Sequence, residues 1–236
     1  MLIKKVKIIK FKYLTLLLLI LILSFTNCIE AHFPYNEDRV TTVYNLDNEY
    51  LFSIALGVMI GDKYISQDNI EYEISEVKNN IAYAKKIAEI QLVSDNFNYN
   101  KTVSKAQAKN KKLIAIYHTH NDESYLPGKT SENGKGDIHD IGGRLANNLK
   151  KEGIEVLYSE NLHLPHDGAA YERSKGTALE LARKNPDAIF DIHRDAIPNK
   201  DEYLDKVAGK TMSQIRIVVG RQNPNRSAND QFAKSL

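Results

Sequence analysis

The chain has 236 residues, 42% hydrophobic and 26% charged, which is enough apolar content for one or two domains with a real core. A formal charge of +2 supplies no basic field for nucleic acid. A single cysteine excludes an intrachain disulfide, so a fold outside the cytoplasm would rest on its core or on a metal.

The positive charge is uneven. Lys4, Lys5, Lys7, Lys10 and Lys12 precede an uncharged run from Tyr13 to Ile29 with a dense Leu/Ile block from Leu16 to Leu23. A basic start followed by an apolar span is the layout of a secretion signal or an uncleaved anchor. No small-residue cleavage site follows, and Phe25, Thr26 and Asn27 before Cys28 do not suit lipoprotein processing. Residues 1–29 are therefore expected to form a single-pass membrane anchor, with the lysines in the cytoplasm and the rest of the chain outside the cell membrane.

Residues 40–95 read as a small β-rich module. Tyr50 to Ile60 is apolar and β-prone, punctuated by Gly57 and Gly61-Asp62, and Glu71 to Val77 alternates polar and apolar residues. Ile81 to Ile90 suits a strand or a short helix, the latter because of Ala82, Ala84 and Ala88. No chemistry-bearing cluster appears in this stretch. Residues 96–112, rich in Asn and Lys, read as a linker.

The unit at 113–236 opens with the apolar run Leu113–Tyr117, a buried strand that leads straight into His118, His120, Asp122 and Glu123. After a loop with Pro127, Gly128, Gly134 and Gly136, Asp137 is placed to cap a helix carrying Ile138, Ile141, Leu145 and Leu149. Gly153 stops that helix, and a strand follows from Ile154 to Tyr158. A loop with His163, Pro165, His166 and Asp167 leads to a helix from Ala169 to Lys184. Pro186 and the strand Ala188–Ile192 follow, ending in His193, Arg194 and Asp195. One more strand is expected from Gln214 to Gly220 and a helix from Asn225 onward. Alternating strands and helices predict an α/β fold with an open, mostly parallel sheet and flanking helices.

Two buried strands that both finish in histidine would present them on one sheet edge, where such folds bind ligands. Imidazoles with a carboxylate make a zinc-type donor set, so His118, His120, Glu123 and His193 are the candidate ligands. His118 and His120, two residues apart, point the same way on a continuing strand, and the sequence does not choose between them. Asp137 and His139 compete with Glu123 for the remaining position. Glu123 and Asp195 are candidate catalytic carboxylates, Arg194 suits a substrate carboxylate, and His166 a substrate contact. His32, His163 and the carboxylates of the first module read as surface residues. A metal-dependent phosphoesterase built on His118-Thr-His120 is a further reading, poorly suited to an anchored exterior location.

The segment Ile116-Tyr-His-Thr-His-Asn-Asp-Glu-Ser-Tyr125 resembles the signature of the stage II sporulation protein P family. So do Gly136-Asp-Ile138, Ala170-Tyr-Glu-Arg-Ser174, Phe190-Asp-Ile-His-Arg-Asp195 and Val218-Val-Gly-Arg-Gln-Asn-Pro-Asn225. The resemblance implies a membrane-anchored cell-wall hydrolase of endospore-forming bacteria, a zinc-dependent N-acetylmuramoyl-L-alanine amidase with a phosphorylase/hydrolase-like sheet. It also implies crosslink endopeptidase activity, peptidoglycan as substrate, and sporulation stage II proteins D and M as partners during forespore engulfment. By position it carries over His118, His120, Glu123 and His193 as site residues. The family's later strand, like Leu-Ile-Glu-Val-Gly and bearing a general acid/base glutamate, has no counterpart up to Leu236. The expectation is therefore a carboxyl-terminally incomplete catalytic domain, with a catalytically impaired wall-binding or scaffold protein as the competing reading.

Overall fold

The computed structural model describes residues 40–90, 112–125, 127–129, 131 and 134–236. The expected anchor at 1–29 and most of the expected linker lie outside the described residues.

Short connections between β-prone runs force antiparallel neighbours, and this governs the first part. Strands β1 (Thr41–Asn45), β2 (Tyr50–Ile54), β3 (Lys63–Ile65), β4 (Ile70–Lys78) and β5 (Ile81–Glu89) form one sheet in the order β2-β1-β5-β4-β3. β4 and β5 join through Asn79-Asn80, with Asn79 at φ 55, a conformation asparagine tolerates in a tight hairpin. That pairing decides the ambiguous alanine-rich run in favour of a strand: Ala82 and Ala84 alternate inward and are fully buried with Val43, Phe52 and Ile74. β1 runs antiparallel to β2 but parallel to β5, so the sheet is mixed.

The second sheet has the order β7-β6-β8, all parallel: β6 (Leu113–Tyr117) is flanked by β7 (Glu155–Tyr158) and β8 (Ala188–Asp191). Helix α1 (Ile138–Lys151) connects β6 to β7, and α2 (Ala170–Ala182) connects β7 back across β6 to β8. Right-handed crossovers in opposite directions put the two helices on opposite faces. α1 ends at Gly153, whose φ of 83 gives the expected left-handed stop.

Its buried stripe is not the expected one. Ile138, His139, Gly142 and Ala146 face inward, whereas Ile141 and Leu145 are exposed. The reason is steric: a Cβ on Gly142 would meet His118 Nε2 at 2.5 Å and Tyr158 Cε2 at 3.0 Å, so only small residues fit there. Asp137 likewise makes no side-chain cap, because its carboxylate accepts the Tyr125 N–H at 3.0 Å instead.

A hairpin of β9 (Leu204–Val207) and β10 (Lys210–Ser213) turns through Ala208-Gly209, both at positive φ. The expected strand from Gln214 to Gly220 is not formed; these residues pair with no neighbouring strand, and Ile215 and Val218 are exposed. Helix α3 (Arg226–Ser235) sets Phe232 against Phe190 of β8 at 6.1 Å.

The expectation of an open, mostly parallel sheet is thus overturned. The largest sheet is mixed, and strand–helix alternation yields parallel crossovers only between Leu113 and Asp191. Three α-helices occur among the described residues, and none of them is long and apolar enough to cross a membrane.

Candidate functional site

Because β6 and β8 are parallel neighbours, Tyr117 and Asp191 end at one edge, and the residues that follow both strands meet there. The stretch from His118 to Ser124 is polar yet buried throughout. Buried polar groups need partners, and the chain supplies them locally. Asn121 Nδ2 donates to the carbonyls of His118 at 3.2 Å and Asn161 at 2.7 Å, while its Oδ1 accepts the His163 N–H at 2.5 Å. The loop before α1 closes the other side. Gly136 N donates to the Asn121 carbonyl at 2.7 Å, Asp137 N to Ser124 Oγ at 2.9 Å, and Ile138 N to the Glu123 carbonyl at 3.0 Å. A Cβ on Gly136 would sit 2.2 Å from the Glu123 carbonyl oxygen, so glycine is required by that approach.

The two histidines after β6 have different surroundings. His118 Nδ1 lies 3.0 Å from the Ile192 carbonyl and Nε2 lies 3.1 Å from the Tyr158 hydroxyl, so both ring nitrogens face structural partners. Burial pushes its pKa down to about 4, more than the Ile192 carbonyl raises it. His120 instead stacks on His166 at 4.1 Å, meets Tyr171 edge-on at 5.3 Å and has the His193 ring 5.2 Å away. It too is pushed down to about 4, by burial first and then by His166 and His193.

His193 lies between two carboxylates. Its Nε2 is 3.0 Å from Asp191 Oδ2, and its Nδ1 is 3.8 Å from Glu123 Oε1. Burial lowers its pKa, but the bonds and charges of Asp191 and Glu123 more than reverse this and lift it to about 10. Asp191 also accepts from Thr119, whose N–H lies 2.8 Å from Oδ1 and whose hydroxyl lies 2.5 Å from Oδ2. Against the cost of burial, the hydrogen bond and charge of His193, followed by the Thr119 bonds, hold its carboxyl below the usual range. Glu123 Oε2 accepts the Arg194 N–H at 2.5 Å, which leaves Oε1 turned toward His193.

The structure therefore sets His193 beside both His120 and Glu123, with His166 on the far face of His120, and ties His118 to structural partners. His166 Nδ1 lies 2.7 Å from Asp122 Oδ1, and Asp122 also accepts from the Ser131 hydroxyl. The Arg194 guanidinium donates from Nη1 to the Ser124 carbonyl at 2.9 Å and so braces the loop. Asp195 lies outside the cluster. It accepts from Ala55 N at 2.7 Å, from Arg216 Nη1 at 2.8 Å and from the Tyr203 hydroxyl, so both its oxygens are engaged by distant parts of the chain. His139 packs behind the site against His118 at 4.8 Å, and Asp137 serves Tyr125. His163 is no surface residue: it is buried, bonding the His118 carbonyl at 2.8 Å and Thr177 Oγ1 at 2.9 Å. His32 is outside the described residues.

Sequence reading missed Asp191 and Tyr171. An aspartate inside an apolar strand, two residues before a candidate ligand and so on the same face, was the available signal for Asp191. Tyr171 carried none beyond its motif.

A donor set of two imidazoles and a carboxylate, with a second carboxylate orienting one ring, is chemically suited to zinc. Among the described residues no three such groups already converge as a metal-holding cluster. The 3.8 Å between His193 Nδ1 and Glu123 Oε1 is nonetheless close to the ~3.4 Å edge implied by tetrahedral ligands at ~2.1 Å.

The family model for stage II sporulation protein P (SpoIIP) matches residues 43–236. Stage II sporulation protein P of Bacillus subtilis (strain 168) is 30% identical over 167 residues, covering 64% of this chain and 41% of that protein. The chain thus spans less than half the length of that relative. No solved structure matches. Both the β-rich part and the histidine-bearing edge fall within the family match, and the chain belongs to the stage II sporulation protein P family.

Proposed function

We propose that the chain is a peptidoglycan hydrolase of sporulation, a zinc-dependent N-acetylmuramoyl-L-alanine amidase in which His120, Glu123 and His193 hold the metal. The observation that carries this reading is the place of His193 at the sheet edge, with the His120 ring 5.2 Å away, Glu123 Oε1 3.8 Å from its Nδ1 and Asp191 behind its Nε2. When bound, zinc supplies Lewis acidity toward an amide carbonyl and water acidified toward neutral pH.

The chain's own residues prepare that chemistry. Burial keeps His120 neutral, so that a ring lone pair is available for a ligand role. Asp191 accepts the N–H of His193 Nε2 and so fixes the ring with Nδ1 toward Glu123, where a metal would take the place of the Nδ1 proton. The Arg194 N–H fixes one oxygen of Glu123, which orients the other and reserves this carboxylate for the metal. At the rim, partly exposed His166 is braced by Asp122, and the exposed Tyr171 ring lies beside His120 and His193. These two side chains are suited to contacting the wall polymer. Peptidoglycan as substrate puts the working site outside the cytoplasm. Forespore engulfment, endopeptidase activity and cooperation with sporulation stage II proteins D and M belong to the same proposal.

The test is digestion of purified sacculi, reading newly released L-alanine amino groups with and without chelator. Chelator-sensitive release by the unaltered chain and none by His193→Ala is expected. Binding to sacculi without any release would refute the hydrolase reading and favour a non-catalytic wall-binding role.

A further inference from the structure

β8 ends at Asp191, and the residues that carry His193 continue outside any strand. An irregular segment holds one course only where contacts pin it. The near end is pinned by the Ile192 N–H, 3.1 Å from the Tyr117 carbonyl, and by the Ile192 carbonyl, 3.0 Å from His118 Nδ1. The far end is Asp195, and what pins it comes from elsewhere in the fold. One carboxylate oxygen accepts the Ala55 N–H at 2.7 Å, just past the end of β2. The other accepts from Tyr203 and from Arg216 Nη1 at 2.8 Å. Arg216 is itself clamped: its guanidinium carbon lies 5.2 Å from the ring centres of both Phe52 and Tyr203, and Nη1 also donates to the Ser53 carbonyl at 2.9 Å. Cation–π contacts and charge-assisted bonds in a partly desolvated setting are stronger than their surface counterparts.

We infer that Asp195 is a positioning residue through which the β-rich sheet fixes the backbone of His193, so that metal holding depends on that sheet. The inference rests on the zinc reading of the site. Only two peptide steps separate Asp195 from His193, with no strand or helix between them to absorb a displacement. Loss of the Asp195 contacts releases the far end of the segment, and His193 then moves relative to Glu123. A neighbouring contact of the same interface makes the contrast: Glu202 Oε2 accepts the Ser53 N–H at 3.0 Å, so its carboxylate reaches β2, whereas it is Tyr203 of the same 3-10 turn Lys200–Tyr203 that reaches Asp195. Glu202 joins the same parts of the fold without holding the ligand's backbone.

The experiment uses the full chain and the variants Asp195→Ala, Asp195→Asn and Glu202→Ala. Zinc affinity is read by competition with a chromophoric chelator, ligand geometry by the visible absorption of the cobalt-substituted form, and unfolding temperature alongside. Asp195→Ala is expected to weaken zinc binding by about 10–100-fold and to shift the cobalt bands, as loss of an orienting partner does. Asp195→Asn, which keeps an oxygen for the Ala55 N–H, falls between it and the unaltered chain and decides the matter if the alanine variant does not fold. Glu202→Ala is expected to lower the unfolding temperature while keeping zinc affinity and cobalt spectrum. Unchanged affinity and spectra in the Asp195 variants overturn the inference alone, as does an equal loss of zinc in Glu202→Ala. An unaltered chain that takes up no zinc overturns the zinc reading and the inference with it.

Discussion

Asp191 and His193 lie on the same side of the chain at a spacing of two, with Asp191 Oδ2 3.0 Å from His193 Nε2 while Nδ1 faces Glu123. One carboxylate thereby selects which nitrogen of the ring is presented to the site. Asp191→Asn removes the charge but keeps an oxygen for the Thr119 N–H. Zinc affinity should fall about 10–100-fold with the fold retained. Full zinc retention, measured by metal analysis after dialysis, would show that His193 does not present Nδ1 to a metal.

His118 and His120 should respond oppositely to replacement. His118→Ala strands the Ile192 carbonyl, while the Tyr158 hydroxyl keeps its bond to the His139 carbonyl at 2.9 Å, and leaving a buried polar group without its partner costs about 1–3 kcal/mol. His120→Ala should keep most of the stability and lose stoichiometric zinc. Denaturant titration and metal content on the two variants separate these roles. Loss of zinc in His118→Ala with stability unchanged would reverse the assignment.

Two glycines should tolerate no methyl group. In Gly136→Ala the new Cβ meets the backbone of Asp122 and Glu123, which can yield only by moving the loop that carries Glu123. In Gly142→Ala it meets the buried, hydrogen-bonded His118 ring. Overpacking of this kind costs about 1–3 kcal/mol, enough to reverse the usual gain of alanine over glycine inside a helix. A denaturation midpoint for Gly142→Ala at or above that of the unaltered chain would contradict this packing.

His163 ties the loop before α2 to the backbone of His118 and to Thr177 of that helix. His163→Phe keeps the ring volume but removes two hydrogen bonds, although Asn121 Nδ2 still reaches the His118 carbonyl at 3.2 Å and Asn161 Nδ2 the Thr177 hydroxyl at 3.1 Å, so a loss of about 1–3 kcal/mol is expected from the two bonds together. Amide hydrogen exchange should rise at the start of α2 and around His118 before it rises in the β-rich sheet. Uniform exchange throughout the chain would argue against this local role.

Much of the strand and helix order was legible in local pattern. The apolar run Leu113–Tyr117, the stops at Gly153 and Pro186, and the two histidine-ended strands are signals of periodicity and backbone chemistry that any fold of this chain must respect. Strand–helix alternation was also sufficient to bring His120 and His193 to one edge, since parallel neighbours end together. The same rule misled where the alternation stopped. Short connections make β1 to β5 a mixed sheet, and Gln214 to Gly220 has a strand's composition but no strand beside it to pair with.

What the tertiary structure decided was the direction in which each polar side chain is used, because partners distant in sequence do not show in local pattern. His118 and His120 are alike in sequence, yet Tyr158 and the Ile192 carbonyl claim one while His166 and His193 surround the other. Asp195 reads in sequence as a candidate catalytic carboxylate beside His193, and only the fold shows Ala55, Tyr203 and Arg216 bonded to its oxygens. Asp191, hidden inside an apolar strand, became the residue that orients His193. A buried charge is worth what its neighbours make of it, and those neighbours here come from distant segments, Ala55 and Asp195 lying 140 residues apart along the chain.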